Sequence, residues 1–284
     1  MNSLSKLILF ACAMSLALAP ACGDDDDSVG AGDSDGDSDG DSERENLTTA
    51  YFIGETLTVG RANLQDGCDV DGDGTADNAI AVMLNSIPKN LLPSDPNQTI
   101  ADKIASGESL SVFALIGVDS FEEDNSILLK AYQGLIDDPD AGVVPDDQFS
   151  GHGNINIEEP PNSTIENASI SGGVLTTPVD TFSAVVPLGD TLVDVELDKA
   201  TVEFMFDPPP GDDMLNGKAR NGKICGAINA QELIALAKQS PDVPALIKPI
   251  IGTFINPAAD MTCNDKPCLS VGLKFTSVSV AVND

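Results

Sequence analysis

The sequence predicts a mainly β body, either a β-sandwich or a partly closed antiparallel barrel with a few short helices, carried on a disordered acidic N-terminal tether. Three observations predict it. Apolar segments of strand length recur between Ser163 and Ile228, separated by Gly, Pro and Asp turns, which is the rhythm of antiparallel sheets. The last segment, Leu269 to Val282, alternates Val and Phe with Ser, Lys and Thr, the period of a strand with two unlike faces. Residues 23–45 consist almost wholly of Asp, Gly, Ser and Glu, a composition that cannot bury a core.

Taken in order, residues 1–21 carry one charge, Lys6, before an apolar run from Leu7 to Ala19. That run has the length of a signal-peptide core and is too short for a bilayer span. The segment ends Leu18-Ala19-Pro20-Ala21-Cys22-Gly23, which resembles the lipobox of bacterial lipoproteins, where a small residue precedes a Cys that is lipidated and becomes the new N-terminus. The resemblance implies lipidation at Cys22. Two alternatives compete: Cys12 as the modified residue, which leaves a much shorter apolar core, and an ordinary cleaved signal that leaves Cys22 a plain thiol. The run Asp24 to Asp27 and the Gly-Asp-Ser repeats to Ser42 suit a spacer between an anchor and a folded body. More than one acyl chain holds a protein stably at a membrane. The expected organisation is a signal peptide over 1–21, a lipidated Cys and tether over 22–45, and a single β-rich domain over 46–284, attached to the membrane without spanning it.

Within the body, Tyr51 to Val59 reads as a strand. Asn78 begins a short helix, capped by Asp77 or Asn78 and broken at Pro88, and Thr99 to Ser106 a second one closed at Gly107. Strands follow at Ser109 to Val118 and Ser126 to Ile136, split by the acidic turn Glu122-Glu123-Asp124-Asn125. Further strands are expected at Ser163 to Thr177, Phe182 to Leu188, Thr191 to Phe206 and Gly217 to Ile228. Gln231 to Lys238 and Ala245 to Ile255 read as helices before the final strand.

Charge narrows the function. The chain has 46 acids against 14 Lys and Arg and one His, a net charge of −32. Because 11 acids lie in the tether, 35 remain in 46–284 against 12 bases, so the acidity belongs to the body too. Such a surface stays soluble and collects cations. It excludes nucleic acid as a partner, whose affinity comes from Lys and Arg displacing counterions. Zero Trp and two Tyr weaken a carbohydrate reading, since sugars stack on such rings.

The sharpest motif is Asp69-Val-Asp71-Gly-Asp73-Gly74-Thr75-Ala-Asp77-Asn78. Acids at positions 1, 3 and 5, a Gly at 6, a backbone carbonyl at 7 and an oxygen at 9 are what a hard cation of calcium size requires. Asp69, Asp71, Asp73 and Asp77 supply carboxylates and Thr75 its carbonyl, making Ca2+ the expected cofactor. Position 12 departs from the EF-hand pattern, with Ile80 in place of the bidentate acid, so another carboxylate or water must complete the shell. The expected affinity is that of extracellular modules, roughly 10⁻⁴ to 10⁻³ M. The competing reading is an Asp-rich turn that only caps the helix. The tether's Asp-Gly-Asp repeats lack flanking apolar residues to preform such a site.

Four body cysteines, Cys68, Cys225, Cys263 and Cys268, suggest two disulfides with three possible connectivities. The spacer Asn-Asp-Lys-Pro can turn back far enough to pair Cys263 with Cys268, which leaves Cys68 with Cys225. Zinc is the rival, though the spacing is not C-x₂-C. Other motifs fall short. His152 is the sole imidazole and sits in a Gly loop; no Gly-x-Ser-x-Gly elbow occurs. Asp194, Glu196 and Asp198 alternate with Val193, Val195 and Leu197, as on a solvated sheet face. Gly217-Lys218-Ala219 lacks the spacing and hydroxyl of a phosphate loop.

Three stretches together resemble a group of myxobacterial-type cell-envelope lipoproteins: the acidic tether after Cys22, the loop Cys68-Asp-Val-Asp-Gly-Asp-Gly-Thr-Ala-Asp-Asn-Ala-Ile, and the ending Cys268-Leu-Ser-Val-Gly-Leu-Lys-Phe-Thr-Ser-Val. The similarity spans most of the chain. It implies a lipid-anchored place in the cell envelope, at the outer membrane, and a β-rich body, and it implies no activity. Three functions therefore compete. The first is a non-catalytic envelope lipoprotein serving binding, adhesion or structure. The second is a carrier of an apolar ligand between its sheets, and the third a hydrolase using Asp194, Glu196 or His152. A packed, hollow or openly acidic interior separates them.

Overall fold

In the computed structural model, residues 48–284 are described except 61–66, 89–94, 137–142, 144–147, 152, 189–190, 207–218, 242, 244, 246 and 284. The signal segment, Cys22, the tether, His152, Gly217 and Lys218 lie outside the described residues. The strands are β1 (Thr49–Val59), β2 (Ser111–Ile116), β3 (Glu123–Leu135), β4 (Asn154–Ile157), β5 (Ser163–Ser171), β6 (Val174–Thr176), β7 (Asp180–Leu188), β8 (Thr191–Phe206), β9 (Ala219–Asn229), β10 (Met261–Cys263), β11 (Lys266–Ser279) and β12 (Ala281–Val282). Among the described residues, four helices accompany them: α1 (Ala79–Ser86), α2 (Pro96–Ala105), α3 (Ala230–Gln239) and α4 (Gly252–Ala258).

Eight strands close on themselves. Around the ring, β1 pairs with β2, then come β3, β5, β6, β8, β9 and β11, which returns to β1, every pairing being antiparallel. The architecture is thus the barrel, not the sandwich, and the barrel is fully closed through the β3–β5 pairing. Closure removes the free edges at which open sheets recruit other chains.

The interior is filled by side chains. On β8, Val202, Phe204 and Phe206 point into the main core while Glu203 and Met205 face solvent, the two-residue period of a strand. Phe113 of β2 stacks on Phe275 of β11 at 5.2 Å and meets Phe204 edge-on at 5.0 Å. Phe52, Phe121 and Phe206 continue the cluster, with Phe121 4.9 Å from Phe206. Gly222 makes room for this packing, since a Cβ there would lie 2.3 Å from the Phe275 ring.

One part of the wall is buried on both sides. Ile53, Val112, Ala114, Tyr132 and Val278, from β1, β2, β3 and β11, form a second core with Ile100 and Ile104 of α2 and Ile155 of β4. The short parallel pair β4–β12 and α2 cover that wall. The two ends of the barrel also differ. Where β1 begins, Phe121 from the β2–β3 turn packs edge-on against Phe52 at 6.0 Å. Where β1 finishes, α1, α3 and α4 extend the main core with Met83, Ile234 and Ile255.

Several elements differ from the sequence expectation, each for a local reason. The segment Ser163 to Thr177 is two strands, turned back at Gly172 and Gly173, whose φ of 57° and 77° favour glycine. The second helix starts at Pro96, ahead of Thr99, because Asp95 caps it by accepting the Asn97 N–H at 2.9 Å. The helix expected over Ala245 to Ile255 is α4, Gly252–Ala258; residues 247–251 form turns, and Pro249 has no N–H for a helical bond. Strands β4 and β10 are additional, each four residues or fewer.

Candidate cation site

The Asp loop lies between β1 and α1. Its neck is a two-residue ladder: the Cys68 N–H donates to Asp77 O at 2.8 Å and the Asp77 N–H returns to Cys68 O at 3.0 Å. Gly67 sits so close to the returning strand that a Cβ would lie 2.6 Å from Ala76 O. Inside the neck the carboxylates are drawn inward by backbone donors. Asp69 Oδ2 accepts from Gly74 N at 3.1 Å, Asp71 Oδ1 from Asp73 N at 3.2 Å, and Asp73 Oδ1 from Thr75 N at 2.6 Å. Gly72 and Gly74 take φ of 78° and 83°, which the turn requires.

The outcome is convergence of three acids. One oxygen from each of Asp69, Asp71 and Asp73 lies within 4.8 Å of the others, and all three residues are exposed. Asp77 stands outside that trio at the neck and is half-buried. Its burial, then Asp260, then Asp73, Asp71 and Asp69, push its carboxyl above the usual carboxylate range. Thr75 is exposed in the loop, its N–H engaged by Asp73. Ile80, at the twelfth position, is half-buried and packs against the main core. The face of α1 that would offer a twelfth ligand is used for packing instead.

The loop is fastened on both flanks. Cys68 is bonded to Cys225 of β9, with Cα atoms 5.6 Å apart. Asn78, 3% exposed, uses its side-chain N–H groups on Gly60 O and Gly272 O, each at 3.0 Å, while its oxygen caps α1 at Ala81 N. Lys223 Nζ donates to Gly67 O. Ala79 N donates to Ser270 Oγ, and Ser270 Oγ in turn donates to Asp260. Val70, between two of the acids, rests on the cluster of Ala227, Cys263 and Cys268.

The second disulfide, Cys263–Cys268, has Cα atoms 5.8 Å apart, so both pairings match the spacing argument. A carboxylate oxygen of Asp198 lies within 4.8 Å of both its sulfurs. Those sulfurs are spent in the bond and offer no thiolate to zinc. Along β8, Val195 and Leu197 are buried, Glu196 is exposed and Asp198 half-buried, as a solvated sheet face requires. Asp194 lies on the same strand, paired with Val185. Three participants carried no local signal: Lys223, Asp260 and Ser270 reach the loop from distant stretches of chain.

The fold and the loop together define a closed eight-stranded antiparallel barrel with a disulfide-anchored acidic loop. Comparison with protein-family models, with curated proteins and with solved structures finds no match.

Proposed function

We propose that this chain is a non-catalytic envelope lipoprotein, anchored by lipid at Cys22, whose barrel is stabilised by calcium at Asp69, Asp71, Asp73, Thr75 and Asp77 and serves binding, adhesion or structure. The observation that carries the proposal is the convergence of three carboxylates in a loop fixed on both flanks. Holding like charges together costs free energy that a divalent cation offsets, and a preformed loop spares the ion most of the ordering cost.

The barrel's pattern supports attachment by an anchor over insertion of the barrel itself. Membrane-spanning barrels are apolar outside and polar inside. Here Phe52, Phe113, Phe204, Phe206 and Phe275 are inside and Thr56, Thr164, Glu166, Thr176 and Glu203 are exposed on the wall. The filled interior also supports a scaffold over a carrier. A cavity beside Phe113, Phe182 and Phe275 measures about 30 Å³, far short of what an apolar ligand needs.

Calorimetry on the body, residues 46–284, tests the cation site. Calcium at a few millimolar should bind and raise the melting temperature by a few degrees, through mass action worth about 1–2 kcal/mol. Asp73→Ala should remove the effect, whereas Asp35→Ala in the full chain should not. No heat and no shift up to several millimolar would leave the loop a capped turn. For the anchor, mature protein should partition into detergent with Cys22 as a blocked N-terminus, and Cys22→Ala should abolish this; an unmodified N-terminus elsewhere sinks that part.

A further inference from the structure

We draw no further inference here: the strongest candidate, the open groove between α3 and α4 lined by Gln231, Ile234, Lys238, Thr253 and Asn256, carries nothing because nothing in the structure shows what covers it.

Discussion

The two ends of the barrel are closed by different physics. Where β1 begins, the described residues form an aromatic plug: Phe121, 7% exposed, rests on Phe52 and Phe206 and is delivered by a turn joining neighbouring strands. Where β1 finishes, closure takes three helices, a disulfide across a sequence separation of 157, and the buried amide of Asn78 bridging two backbone carbonyls. The difference teaches what an acidic loop demands. Apolar side chains hold themselves in by leaving water, but Asp69, Asp71 and Asp73 repel one another and prefer solvent, so the loop must be tied down from outside.

This contrast can be broken experimentally. Replacing Cys68 and Cys225 together by Ser should have the largest effect, a loss of about 4–5 kcal/mol read from urea unfolding, since a bridge closing so long a loop removes much entropy from the unfolded chain. An unchanged unfolding midpoint would show that the polar ties hold the helical end without it. Phe121→Ala should follow, costing about 3 kcal/mol, because a buried ring leaves both a transfer loss and a cavity. That loss should be the same with and without calcium. Should the variant alter calcium affinity, the ends are coupled and the comparison fails.

The smallest effect belongs at the helix that covers the doubly buried wall. Lys103 and Ser106 hydrogen-bond to Glu108 just beyond α2, Lys103 Nζ at 2.6 Å, and hold its carboxyl below the usual range. The sign follows from the depressed pKa: the stabilisation is present above the unfolded value and disappears as pH falls through the folded one. The Glu108 side chain is 52% exposed, so screening leaves at most about 0.5 kcal/mol. Glu108→Gln should therefore melt slightly below the parent at pH 7 and together with it once the pH has fallen below the folded value. A gap that persists in acid would assign the effect to shape, not charge.

Much of this molecule was legible from local pattern. The strand segments announce themselves because a two-residue alternation survives wherever one face meets water, as on β8. The Asp loop is legible because ligand spacing is local, and the disulfide pairing because the spacer between Cys263 and Cys268 can turn back far enough to join them, which leaves Cys68 for Cys225. Closure was not legible. Nothing in β3 or β5 says that the two will pair, because strand partners are chosen by three-dimensional fit. On β2, Val112, Phe113, Ala114 and Leu115 are all buried, so the run shows no alternation and conceals the wall covered by α2. The ties from Lys223, Asp260 and Ser270 were hidden for the same reason: they are made by residues brought from afar, each unremarkable in its own stretch.

The β1–β11 pairing has a consequence for how this chain folds. Of the two neighbours of Thr49–Val59, one is Lys266–Ser279, so their pairing closes a loop of chain that contains every other strand of the ring. Until then β1 has one satisfied edge and one row of unpaired amides, and the phenylalanines of its future interior have no lid. A partly folded chain in that condition offers a template to any extended segment it meets. The closed barrel hides its stickiest surface and the open sheet exposes it, so the hazard falls on the interval before β1 meets β11.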